Sequence, residues 1–364
     1  MVGNDIVQDV YNILSGVYAP LVGFLREDDF LSVLHEMRLT AGDIWSIPIV
    51  LDIRGEDYLE LKDESEIMLI DALGRDIAIL KNIQIYPYDK GQYAFSVFGT
   101  TDDNHPGVAS LMGRGSYLVG GDIYRKQSSE DEICDACSQA EILRDFSEYY
   151  FSPKETKQIF KDRGWESVVA FQTRNVPHRS HEYLQKLALK GVDGIMIQPV
   201  IGKKKPGDFR DDVIIEAYNI LFDNYYDEDR AFLNILPLKM NYAGPREAVH
   251  HAVIRRNYGC THMIIGRDHA GVGDYYDSYE AHDIFDNFTE YELGIKILKY
   301  ENVSHCHGCG ELKVDGSCEH ADRHKFHISG TKMREMIKNG EELPEELIRK
   351  EISEYLLNHP NPFV

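Results

Sequence analysis

The chain lacks what a secreted or membrane-embedded protein needs. No basic stretch followed by a long apolar run opens it, so no signal peptide is expected. The longest apolar run near the N-terminus, IWSIPIVLDI from Ile44, carries Pro48 and is about half the length that spans a bilayer. Positive charge is also short, with 39 Lys and Arg against 61 Asp and Glu for a net charge of -22. A surface of that sign repels nucleic-acid backbones and anionic headgroups, which excludes both as general partners. Missing too are internal repeats, low-complexity tracts, a G-x-x-x-x-G-K-[ST] phosphate loop, and a Ser or Cys nucleophile beside an activating base. What is present is a 364-residue chain, 43 % hydrophobic, too long for one compact core.

Cysteine is scarce and clustered. Cys134 and Cys137 form one C-x-x-C, Cys306 and Cys309 another, and Cys260 and Cys318 stand alone. Without a signal peptide that clustering favours metal or redox chemistry over a disulfide framework, and the expected location is cytoplasmic.

The first third reads as β-rich. WSIPIVLDI, EIMLIDAL, DIAILKNIQIY and YAFSVFGTT are short apolar runs separated by turn residues, with one amphipathic helix at DDFLSVLHEMR. A polar, acidic connector containing Cys134 and Cys137 follows, and Ser152-Pro153-Lys154-Glu155 looks like a helix start. From Trp165 strands and helices alternate: SVVAF, HRSHEYLQKLALKG closing on Gly191, GIMIQPVI, DDVIIEAYNILFDNYY, FLNILPLKM, REAVHHAVIRRNYG and THMIIG. That alternation predicts a doubly wound, mainly parallel sheet with its ligand site at the carboxyl ends of the strands. Three contiguous domains are expected, over 1–157, 158–327 and 328–364, the last a small helical module with TKMREMIKNG and PEELIRKEISEYLL.

Three loops after predicted strands are more polar than a connection requires. In Gln172-Thr173-Arg174-Asn175-Val176-Pro177-His178-Arg179-Ser180-His181 two histidines three apart open a helix, where backbone N–H groups and the dipole favour an anion. Arg174 adds a fork of donors suited to a tetrahedral oxyanion. Gly202-Lys203-Lys204-Lys205-Pro206-Gly207-Asp208 is basic, and from Gln172 to Arg210 eight cations face three carboxylates, an island of +5. Gly266-Arg267-Asp268-His269-Ala270-Gly271-Val272-Gly273-Asp274 combines glycines with donors.

In order and spacing, QTRNVPHRSHE, YAGPRE, GRDHAGVGDYY and ISGTKMR resemble the motifs of the ATP sulfurylase (sulfate adenylyltransferase) family, and SGVYAPLVGFL and GTTDDNHPGV extend the likeness over nearly the whole chain. The resemblance implies a PUA-like first domain and a HIGH-type nucleotidyltransferase second domain. The implied activity is transfer of AMP from MgATP to sulfate, with Mg²⁺ entering on the nucleotide. It implies Thr173, Arg174 and Asn175 as a catalytic trio, joined by His178 and His181, and Gln172, Arg174 and the Ala270 backbone as sulfate ligands. ATP contacts implied are Gln172, Asn175, His178, His181, Gly266, Arg267, Asp268, His269 and, more weakly, Val303. Many members carry Pro where this chain has Val176. A homodimer or larger assembly is implied, and the missing phosphate loop predicts no kinase domain.

Cys306-x2-Cys309-x8-Cys318, with His320 and His324 beyond, is a candidate Cys3His site for structural Zn²⁺. His324 allows the easier loop and is the first choice, with His320 the alternative. Two rival readings remain: a zinc-bearing nucleic-acid module, opposed by the net charge, and a silent nucleotide sensor, opposed by the intact motifs.

Overall fold

The computed structural model describes residues 1–125, 145–328 and 330–364, so Cys134, Cys137 and Ser329 lie outside the described residues. The chain divides into two compact units that interleave in sequence rather than follow one another. Met1–Lys157, Pro237–Gly259 and Asp268–Ile295 make the first; Gln158–Leu236, Cys260–Arg267 and Lys296–Val364 make the second. Residues 328–364 thus belong to the second unit.

The first unit holds an antiparallel sheet in the order β1-β5-β4-β3, with β2 on β5. Its strands are β1 (Gly23–Phe24), β2 (Leu51–Ile53), β3 (Glu66–Ile70), β4 (Asp76–Pro87) and β5 (Tyr117–Tyr124). The long β4 carries a register shift between Lys81 and Gln84, where Asn82 takes a left-handed φ of 52°. β5 is hard to read from sequence because Gly120 and Gly121 sit in its middle. A Cβ on Gly120 would land 2.5 Å from the Leu25 carbonyl oxygen, so close backbone approach requires that glycine.

Two expectations for this unit need correction. YAFSVF is not a strand but part of a helix, Lys90–Phe98. The Asp89 carboxylate accepts from Gln92 N to cap it, Gly99 closes it at φ 70°, and its buried Tyr93, Ala94, Val97 and Phe98 recur with helical spacing. WSIPIVLDI yields only Leu51–Ile53 as strand, although Ile47, Ile49 and Val50 are buried. The expected helix near DDFLSVLHEMR is present as Glu27–Glu36.

The second unit carries parallel strands in the order β11-β10-β6-β7-β8. They are β6 (Val168–Thr173), β7 (Gly194–Ile201), β8 (Ala231–Leu233), β10 (His262–Ile265) and β11 (Lys296–Lys299), while FLNILPLKM breaks after β8 into the short β9 (Leu236–Pro237). Every residue of β7 is buried, as a central strand covered on both faces requires. In chain order the arrangement is 3-2-1-4-5 from the β8 edge, so the winding reverses between β6 and β10. Loops leaving the carboxyl ends of those two strands flank the crevice where open α/β sheets bind ligands. A three-stranded antiparallel piece, β12 (Val303–Cys306) between β13 (Glu311–Val314) and β14 (Lys325–His327), follows. The expected tail helix at TKMREMIKNG is present as Gly330–Asn339, while PEELIRKEISEYLL yields only Lys350–Asn358, the segment PEELI forming a turn instead. Among the described residues no helix is long and apolar enough to cross a membrane.

Candidate functional site

β6 delivers Gln172 and Thr173 to the carboxyl end of the sheet, and the helix Arg179–Leu189 starts six residues later with His178 as its cap. Thr173 Oγ1 donates to the Asn175 carbonyl at 3.0 Å and accepts from Asn175 N at 3.0 Å, folding the loop tightly around Arg174. Val176, the departure from the family's proline, is fully buried and anchors the turn by packing. Asn175 Oδ1 accepts from Arg334 Nη2 at 2.8 Å, so the ISGTKMR helix reaches the QTRN turn. Gln172 Oε1 is buried and has no hydrogen-bond partner among the described residues.

The two histidines stack, with ring centroids 3.6 Å apart and planes 22° apart. His178 Nδ1 accepts from His181 N at 3.3 Å, which leaves Nε2 as the donor of the neutral ring. Burial pushes His178 down to about 4, and burial followed by repulsion from His178 pushes His181 well below its ordinary value. Both imidazoles are therefore neutral near pH 7, half-buried at a helix N-terminus. Next to them Glu182 is buried and clasped by Arg349, whose guanidinium donates at 2.8 and 2.6 Å, and by Lys186 at 2.6 Å. Burial alone would raise the Glu182 carboxyl, but the bonds from Arg349 and Lys186 outweigh it and hold it below its ordinary value.

The charge island is less free than its sequence suggests. Lys204 pairs with Asp211 at 2.8 Å and Arg210 with Asp212 at 2.9 Å, two carboxylates lying just beyond the counted segment. Arg179 and Lys186 both face Glu182. Four of the eight cations are thus engaged locally, and the basic island does not stand as an open +5 field.

In the loop after β10, Gly266 and Arg267 close the second unit's stretch and Asp268 onward belongs to the first. Asp268 and Ala270 hold left-handed φ values of 53° and 59°, strain that persists only where surroundings impose it. A Cβ on Gly271 would fall 1.9 Å from Asp268 Oδ1. Gly244 N donates to the Ala270 carbonyl at 3.2 Å, and His269 Nε2 meets His251 Nδ1 at 3.1 Å. The YAGPRE motif also works structurally. Arg246 donates to the carbonyls of Val33 and Leu34 at the end of the helix Glu27–Glu36, and Glu247 accepts from Asn241 N and Ala243 N.

Cys306, Cys309, Cys318 and His320 each offer a ligand atom, all within 4.8 Å of one another. Sulfur separations are 3.4 Å for Cys309–Cys318 and 3.5 Å for Cys318–Cys306, and His320 Nδ1 lies 3.2 Å from Cys318 Sγ. A tetrahedral ion with metal–sulfur bonds near 2.3 Å spaces sulfurs by about 3.8 Å, so the donors fit a metal ion. The first-choice His324 is not in this group; its Nε2 accepts from Arg323 Nε at 3.2 Å. Gly308 makes the shorter loop workable, since a Cβ there would lie 2.5 Å from the His320 ring. The Val303 side chain is fully buried against Leu184 and Leu312. Sequence reasoning missed the Arg349–Glu182 clasp and the Arg334–Asn175 bond, for which no local signal exists.

A parallel sheet that presents stacked, half-buried imidazoles, a guanidinium and a tight polar turn at its switch point defines an enzyme of the nucleotidyltransferase class. The chain matches the ATP-sulfurylase family over residues 147–359 and the PUA-like domain over residues 2–128, and it belongs to the ATP-sulfurylase family. Curated relatives named sulfate adenylyltransferase are 47 % identical in Pyrococcus abyssi and 48 % identical in Thermococcus onnurineus, each over 356 residues, 98 % of this chain and 89 % of the relative. Among solved structures, a hexameric APS kinase from Thiobacillus denitrificans has a similar fold, with a TM-score of 0.71 at 18 % identity over 99 % of this chain and 62 % of that one.

Proposed function

We infer that this chain is a sulfate adenylyltransferase, converting MgATP and sulfate to adenosine 5'-phosphosulfate and pyrophosphate. The observation that carries the reading is the pair of stacked, neutral, half-buried imidazoles at a helix N-terminus, just beyond the Gln172–Asn175 loop. A sulfate oxygen attacks the α-phosphorus in line as the bond to the β-phosphate's bridging oxygen breaks, and that electron pair leaves on pyrophosphate. The protein's work is to hold two mutually repelling anions and to absorb charge on the leaving group. Arg174 supplies the fork of donors, and Gln172 the amide, that orient sulfate; the Ala270 amide joins them by family resemblance. Thr173 and Asn175 fix the loop through their mutual hydrogen bonds, and Arg334 holds the Asn175 side chain. His178 and His181 steady the departing pyrophosphate as N–H donors. Gly266, Arg267, Asp268 and His269 line the nucleotide pocket, with Val303 toward the adenine, by family resemblance.

The thiolate group would hold Zn²⁺ through Cys306, Cys309, Cys318 and His320, four protein ligands in a closed structural role. Reduced Cys260, Cys306, Cys309 and Cys318 suit a cytoplasmic enzyme, and a homo-oligomer is the expected state. Sulfate-dependent release of pyrophosphate from MgATP tests the reading. A pure, folded protein inactive in that direction and in ATP formation from adenosine phosphosulfate and pyrophosphate would refute it.

A further inference from the structure

Side chains alternate along β12, so residues two apart share a face. Cys306 turns to the thiolate group, whereas Val303 packs on Leu184 and Leu312. His305 shares the parity of Val303, and His307 follows just past the strand. Their rings lie 5.2 Å apart in a T-shaped arrangement. Glu346, from the turn before the last helix, completes a second group: one ligand atom each from His305, His307 and Glu346 lies within 4.8 Å of the others. His305 Nδ1 is moreover buried with no hydrogen-bond partner among the described residues.

We propose that His305, His307 and Glu346 form a second divalent transition-metal site, distinct from the cysteine group. Two imidazoles and one carboxylate suit Zn²⁺, Co²⁺ or Ni²⁺ and not Mg²⁺ or Ca²⁺, which prefer oxygen ligands. Three protein ligands leave room for water, so the ion binds more labilely than one in a closed four-ligand site. Its placement gives it a mechanical role. Glu346 precedes Leu347, whose carbonyl accepts from Arg179 N at 2.9 Å, and stands three residues before Arg349, which clasps Glu182. An ion there ties β12 to the segment that holds the N-terminus of the helix carrying His181, with His178 at its cap.

Titration of the full-length protein with Co²⁺ tests this. Thiolate-bound Co²⁺ gives an intense sulfur-to-metal charge-transfer band, and the second site should add one equivalent per chain that shows only weak d–d absorption. The exposed His307→Ala, and separately Glu346→Gln, should weaken that equivalent by at least about 10-fold, the lower bound expected even for an outer-shell partner. Both should leave the charge-transfer band intact, and Cys309→Ser should do the reverse. The thermal midpoint should rise with the second equivalent in the parent and not in His307→Ala. Saturation of the parent with thiolate-bound metal alone, or unchanged binding in both His307→Ala and Glu346→Gln, would overturn the proposal.

Discussion

Arg334 donates through Nη2 to Asn175 Oδ1 at 2.8 Å, joining two motifs 159 positions apart in the chain. The bond sets the direction of the Asn175 side chain, while the Thr173 hydroxyl sets its backbone. Replacing Arg334 by Ala should lower kcat about 10- to 100-fold, the range for losing one charge-assisted hydrogen bond. Circular dichroism should be unchanged and Arg334→Lys should recover part of the loss; a fully active Arg334→Ala would remove this positioning role.

Arg174→Ala should cut sulfate-dependent pyrophosphate release by at least about 10²-fold, by comparison with removal of an oxyanion donor. Because Arg174 sits in a loop tied by Thr173 and Val176, the thermal midpoint should move little.

The histidine pair gives stability a definite pH dependence. His178 ionises near 4 in the folded protein and near 6.5 unfolded, so between those values the unfolded chain binds a proton that the folded one refuses. Stability should be level above about pH 6.5 and fall as pH drops toward 4, by at most about 3 kcal/mol from this group. His178→Asn, which keeps a capping side chain, should flatten the slope in urea titrations at pH 7 and pH 5. A bound polyphosphate favours the protonated ring, so pyrophosphate binding should take up protons, measurable by calorimetry in buffers of different ionisation enthalpy.

Glu182→Gln removes the carboxylate shared by Arg349 and Lys186. With the carboxylate buried and the cations partly exposed, the expected loss is about 2–3 kcal/mol, below the range for a fully buried pair. Urea unfolding reads it directly, and Arg349→Met should give a similar loss.

A strong chelator, or Cys309→Ser, should lower the thermal midpoint by releasing β12 from Cys318 and His320. Metal analysis should then show the thiolate-bound equivalent gone, and chelated protein should recover on readdition of Zn²⁺. An unchanged midpoint after metal loss would show that the knuckle does not brace the fold.

Much of the second unit was legible because its signals are local. Buried strands such as GIMIQPVI are continuous apolar runs, helices show a 3.6-residue period, and the polar loops between them cannot be core. The first unit was harder. YAFSVF alternates well enough to pass for a strand, and only the Asp89 cap and Gly99 reveal a helix; β5 hides behind two glycines required by neighbouring backbone.

The sequence alone determined the alternation of strand and helix, the polar loops at the strand ends and the family, since each resides in runs of adjacent residues. Tertiary structure decided which groups meet. It brought His320, and not His324, within reach of the three cysteines, where Gly308 admits the closer ring. It engaged Lys204 and Arg210 with Asp211 and Asp212, reducing the field that composition implied. It brought Arg334 to Asn175 and Arg349 to Glu182 across more than 150 residues, pairings that have no periodicity to announce them because only the folded path of the chain sets those distances.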